Sequence, residues 1–202
     1  MGRADGGESM AETLSTFSLK PGDAAPEFEL PAADGALQSL TGARGEKGTL
    51  VFFACNHCPY VVMLADAIAS IANDLADKGI ATVAISSNDV ENYPQDSPEL
   101  MASFAKEHGW EFPYLYDESQ DVAKAYGAAC TPDFFLFDSV GNLYYAGQFD
   151  DSRPKNGRQP DGADLMAAVA DMLAGRSAPE RQLPSSGCNI KWKPGNEPAY
   201  FG

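Results

Sequence analysis

Two uninterrupted apolar runs, GTLVFFA at 48–54 and IATVAISS at 80–87, flank a segment whose apolar residues recur at helical spacing. Strand-length runs without polar alternation belong to strands covered on both faces, as in a parallel sheet. Between them, PYVVMLADAIASIANDLADKG puts Leu64, Ile68, Ile71 and Leu75 on one helix face. Pro59 suits the first turn of that helix and Gly79 its C-terminal cap. The unit is therefore β-α-β, and it should cross over right-handedly into a parallel sheet.

The pattern continues downstream. Ser97-Pro98-Glu99 opens a helix with Leu100, Phe104 and His108 on one face, PYLYD is a short strand and SQDVAKAYG a short helix. TPDFFLFDSVGNLYYAGQF reads as two strands around a Gly141-Asn142 turn, and DGADLMAAVADMLAG as a closing helix carrying Leu165, Val169 and Met172. Upstream, KPGDAAPEFELPAADG suggests an extended lead-in with one edge strand. The expected order is β-α-β-α-(β)-α-β-β-α over residues 18–175. A flexible tail (1–17) precedes it, and an irregular extension (176–202) follows, whose Trp192, Tyr200 and Phe201 should pack on the domain.

Charge narrows the partners. Fourteen basic against 29 acidic side chains give a net charge of −15, which repels phosphate backbones and anionic lipid surfaces. No apolar segment approaches the ~20 residues that span a bilayer. The N-terminus has Arg3 but no apolar core of a secretory signal, so the expectation is a cytoplasmic protein without nucleic-acid or membrane partners. Four cysteines are too few to staple a chain of 202 residues, and in such a compartment a Cys-x-x-Cys pair is catalytic or metal-binding.

That pair is Cys55 and Cys58 in FFACNHCPYVV, at the junction of the first buried strand and its helix. A helix N-terminus carries partial positive charge and unpaired N–H groups, which favour a thiolate. His57, when protonated, adds to that field. Half of a zinc site is the competing reading, but no second Cys-x-x-Cys or His-x3-5-His follows. Neither a metal nor a cofactor is expected. Thr131-Pro132 opens a later strand, and an X-Pro bond there is a candidate cis turn. Cys130 and Cys188 are further candidate redox thiols.

Together these features resemble the thioredoxin superfamily: an α/β fold with a central mixed sheet flanked by helices, here with N- and C-terminal extensions. LKPGDAAPEFELPAADG resembles the start of the AhpC/TSA and TlpA-like redoxin branch. CNHCPYV, CTPDFFLFD and GCNIKWKPGNEPAYF resemble thioredoxin-family and peroxiredoxin-like proteins carrying the same strings. The resemblance implies a thiol-disulfide oxidoreductase in which Cys55 is the exposed attacking thiolate and Cys58 the buried resolving thiol. It also implies that Pro132 is cis and faces the pair, and that the Thr131 backbone clasps an extended substrate. Protein or small-molecule disulfides would be the substrates, with a separate thiol reductant.

Other readings stay open. The interior of the pair is Asn-His, not the Gly-Pro of thioredoxin. A His just before the second Cys resembles protein disulfide isomerase and DsbA, with potentials of about −180 and −120 mV against about −270 mV for thioredoxin. Cys58-Pro59 matches the peroxidatic end of a peroxiredoxin motif, which implies an antioxidant peroxide reductase, yet Cys55 stands where that motif has a threonine. A Sco-like copper chaperone would use two cysteines and a distant histidine, and His108 is the distant histidine available.

Overall fold

The computed structural model describes residues 12–202; the first eleven positions of the expected tail lie outside the described residues. The first strand is β1 (Glu12–Leu14), followed by a hairpin of β2 (Glu29–Pro31) and β3 (Leu37–Ser39) and the one-turn helix α1 (Leu40–Ala43). Next come β4 (Gly48–Phe53), α2 (Pro59–Asp77) and β5 (Ile80–Ser86). A 3-10 turn at Pro94–Asp96 leads to α3 (Pro98–Glu107), β6 (Tyr114–Tyr116), α4 (Asp121–Tyr126) and the two-residue β7 (Cys130–Thr131). The chain closes with β8 (Asp133–Asp138), β9 (Leu143–Gly147), α5 (Ala163–Leu173) and β10 (Ser186–Asn189).

The central sheet has the order β6-β5-β4-β8-β9, parallel from β6 to β4 and antiparallel from β4 to β9. This is the expected thioredoxin-like mixed sheet. Successive residues of β4 alternate between two buried layers, because strand side chains point to opposite faces. Leu50 and Phe52 pack with α2, α3 and α5, whereas Val51 and Phe53 pack with α4, Phe28 and Leu40. Both layers exclude water, which is why the run needs no polar alternation.

α2 buries Leu64, Ile68, Ile71 and Leu75 as the spacing predicts. These four side chains supply roughly 6–12 kcal/mol of apolar burial before chain entropy is counted. By length and composition α2 could also cross a bilayer, contrary to the sequence expectation that no segment could; here it is a core helix against β5. α3 differs in phase from its expectation. It buries Met101 and Phe104, leaves Leu100 exposed, and ends at His108, whose Nδ1 lies 2.7 Å from Asp66 of α2.

The extensions need correction. Residues 12–17 do not belong to a loose tail, since β1 pairs antiparallel with β10 and Ser15 Oγ donates to Asp133 at 2.7 Å. The region from 176 is not wholly irregular either: β10 is the middle strand of a second small sheet, β1-β10-β7. Beyond it Ile190 and Trp192 are buried, and Gln120 Nε2 ties Ser87 O and Lys191 O at 2.7 and 3.0 Å. The extension is thereby laced to the C-terminal ends of the parallel strands, where open α/β sheets place their sites.

Candidate active site

β4 stops at Phe53, and the next amide, Ala54 N–H, still bonds Ile85 O at 2.9 Å. The chain then turns through Cys55, Asn56 and His57 and enters α2 with Cys58 as its N-cap residue and Pro59 in the first turn. Proline fits there because its missing N–H is one the helix could not use. Three polar groups hold the turn. Asp96 Oδ1 accepts from Asn56 N at 2.8 Å, Gln95 O accepts from Asn56 Nδ2 at 3.1 Å, and Tyr114 OH donates to Asn56 Oδ1 at 3.1 Å.

His57 faces the same acid. Its Nδ1 lies 2.7 Å from Asp96 Oδ2, an ion-pair contact whose angle is not that of a good hydrogen bond. Its ring stacks on Tyr93 with centroids 5.9 Å apart. Asp96 is fully buried and also accepts from Asn88 Nδ2 at 2.9 Å. A protonated His57 is therefore shared with a carboxylate and does not serve the thiols alone. Among the described residues Cys55, His57 and Asp96 form a donor set able to hold a metal ion, their ligand atoms lying within 4.8 Å of one another.

The Thr131-Pro132 bond is cis and lies against the pair. Thr131 Oγ1 is 3.5 Å from Cys55 Sγ, and Thr131 O accepts from Cys58 Sγ at 3.1 Å. The Thr131 backbone expected to clasp a substrate is paired with β10, with Cys188 opposite Thr131 and Asn189 opposite Cys130. This places Cys188 Sγ 2.9 Å from Cys58 Sγ. Cys130 instead points its thiol to Pro132 O at 3.5 Å.

Burial corrects the expected exposure of Cys55. Cys55 is 1% exposed, Cys58 0% and Cys188 2%, so Cys55 is not an exposed attacker. Burial opposes charge on Cys58, but hydrogen bonds with Cys188, Cys55, Thr131 and the Val61 N–H outweigh it and hold its pKa well below the usual thiol value. The opposing contact is Thr131 O, which a thiol satisfies and a thiolate does not. Cys55 is pushed the other way by its hydrogen bond to Cys58, by burial and by the Asp96 carboxylate. Cys188 is raised by its bond to Cys58 and by burial, and Cys130 by burial and Asp133.

The profile of the AhpC/TSA family matches residues 21–146. The chain belongs to the AhpC/TSA family. Peroxiredoxin Bcp of Escherichia coli K12 is 27% identical to this AhpC/TSA protein over 150 residues, covering 68% of this chain and 90% of that one. A crystal structure of an uncharacterized conserved protein from Geobacillus kaustophilus is similar at a TM-score of 0.88 and 48% identity, over 92% of this chain and 98% of that one. A hypothetical protein from Sinorhizobium meliloti 1021 is similar at a TM-score of 0.87 and 49% identity, over 91% and 100%. Thiol-dependent redox chemistry follows from this membership.

Sequence reasoning missed Asp96, Tyr114 and the placement of Cys188. A signal existed for the first region: the apolar strand β5 ends in the polar run Ser86-Ser87-Asn88-Asp89, where a site is expected. Tyr60 lines the cleft beside Pro132, whereas Phe53 and Trp192 lie in the opposite core layer.

Proposed function

We propose that this AhpC/TSA protein is a thiol peroxidase in which Cys58 attacks a small hydroperoxide. The observation that carries the reading is the place of Cys58: N-cap of a 19-residue helix, with neighbouring hydrogen-bond donors and a depressed pKa. A thiolate there attacks the terminal peroxide oxygen. The O–O bond breaks, the leaving alkoxide takes a proton to become an alcohol or water, and Cys58 becomes a sulfenic acid. The hydroxyl lacking at position 55 has a counterpart in Thr131 Oγ1, which lies in the same pocket.

Burial selects the oxidant. With β10 on Thr131 and the thiols 0–2% exposed, a peptide disulfide has no strand edge to join, whereas a peroxide needs only a narrow path. The net charge of −15 further favours a neutral hydroperoxide over an anionic oxidant. Similarity to peroxiredoxin Bcp supports the same reading. Dithiol exchange by Cys55 and Cys58 is the second reading, favoured by the convergence of both sulfurs on Thr131.

Peroxide consumption with a dithiol reductant separates the two. Cys58→Ser should abolish turnover, Cys55→Ser should retain the first oxidation step, and dimedone should label Cys58 after one equivalent of hydrogen peroxide. Turnover that survives Cys58→Ser but not Cys55→Ser would sink the proposal.

A further inference from the structure

We infer that Cys188, carried by β10, is the thiol that resolves oxidised Cys58, so that the oxidised protein holds an intrachain Cys58–Cys188 disulfide. The inference rests on the peroxidase reading and adds its second step. Cys188 Sγ already lies 2.9 Å from Cys58 Sγ, against about 2.05 Å for a disulfide, so less than ~1 Å of approach is needed.

Three features make this juxtaposition a built one. The β7–β10 register fixes Cys188 directly opposite Thr131, whose carbonyl also touches Cys58. Gly187 lets the two backbones meet, since a Cβ there would sit 2.0 Å from Thr131 O. On either side of Cys188 the strand is pinned, by β1 at Ser186 and by the Ile190 N–H bond to Ala129 O at 3.0 Å. A cysteine delivered in this way takes the position that an extended disulfide substrate would occupy. The chain presents its own thiol where a thioredoxin-like clasp presents a partner's.

The chemistry balances. The Cys188 sulfur attacks the Cys58 sulfenic sulfur, the S–O bond breaks, and the departing hydroxide leaves as water with the proton from Cys188. Lys191, three residues on, favours the thiolate that this attack requires, whereas Asp96 disfavours it at Cys55. A dithiol reductant then reopens the bond by exchange, becoming a disulfide itself and returning both protons.

The test treats full-length reduced protein with one equivalent of hydrogen peroxide, followed by non-reducing digestion and mass spectrometry, with dimedone added in a parallel sample. A Cys58–Cys188 linked peptide is expected in the wild type and in Cys55→Ser. It should be lost in Cys188→Ser, where dimedone-labelled Cys58 should accumulate instead. Wild-type protein yielding a Cys55–Cys58 disulfide, with Cys58 labelling in Cys188→Ser no greater than in wild type, would overturn the role of Cys188 and leave the peroxidase reading standing. Absence of any oxidation product at Cys58 would instead remove the peroxidase reading and the resolving step together. Mapping in the wild type needs no variant, so a poorly folding Cys188→Ser cannot mask the result.

Discussion

Gly187→Ala tests whether β10 must lie on Thr131 for the thiols to react. A Cβ at 187 would stand 2.0 Å from Thr131 O, 2.6 Å from its carbonyl carbon and 3.2 Å from Pro132 N. All three are backbone atoms, so no flexible side chain can yield. Restoring an ordinary carbon–oxygen contact of about 3.3–3.6 Å requires β10 to retreat by at least ~1.3 Å. That shift would carry the sulfurs from 2.9 Å to beyond ~4 Å. Overpacking of this kind costs about 1–3 kcal/mol. At 2–4 °C per kcal/mol for a chain of this size, Tm of the reduced protein should fall by roughly 2–12 °C. Formation of the Cys58–Cys188 disulfide should slow by roughly 5- to 150-fold if the same energy separates the docked strand from the displaced one.

The sign of the effect is diagnostic. Gly187 is not among the residues with positive φ, so alanine fits its backbone. Without a tertiary clash the substitution should stabilise by about 0.4–1 kcal/mol through the unfolded chain. Calorimetry on the reduced protein and timed disulfide mapping after peroxide addition read the two consequences separately. An unchanged or raised Tm together with the wild-type rate of disulfide formation would refute the docking argument.

Two further outcomes follow from the same geometry. Oxidation to the Cys58–Cys188 disulfide bridges a sequence separation of 130, which the chain-entropy relation values at about 5 kcal/mol against about 2 kcal/mol for a Cys55–Cys58 bridge; scanning calorimetry should therefore show Tm rising by roughly 10–20 °C on oxidation, and a rise of only a few degrees would favour the shorter bridge. Burial raises Asp133 from 3.8 to about 6, only partly offset by Ser15, Ala129 and Ser185, so its contribution to stability is fully present below pH 3.8 and is lost as pH rises through 6; Asp133→Asn should remove a loss on the order of 3 kcal/mol between pH 4 and 7 in denaturant titrations, and an unchanged pH slope would contradict this.

The central layers were legible because their signals are local. Apolar runs without alternation, Leu64 to Leu75 at helical spacing and the Gly141-Asn142 turn each specify an element within a short window, and the structure has all of them. The phase of α3 was harder to read, since Phe104 belongs equally to a Leu100–His108 stripe and to a Met101 stripe. Packing against β6 chose the second. β10 was illegible for a different reason. Ser-Gly-Cys-Asn has neither alternation nor strong strand propensity, and its pairing is specified by the fit of a side-chain-less residue against one carbonyl. Asp96 was hidden likewise: an isolated acid in a 3-10 turn gains its role only when the ends of β4 and β5 bring it beneath Asn56.

On the proposed peroxidase reading, the electrostatics of the sulfurs account for giving the attacking role to Cys58 and not Cys55. A buried pocket does not hold several thiolates, because each added charge is desolvated and repelled by the first. The single charge settles where donors converge. Cys58 has the helix N-terminus, the Val61 N–H and two thiols that hydrogen-bond to it, while Cys55 has the Asp96 carboxylate beside it. Charge on Cys58 then keeps Cys55 and Cys188 protonated, chiefly through the hydrogen bonds they give it. In the proposed mechanism the nucleophile and its resolving thiol are thus differentiated before any oxidant arrives. Once Cys58 is a sulfenic acid that charge is gone, the force holding Cys188 protonated weakens, and Cys188 is freed for attack when its target appears.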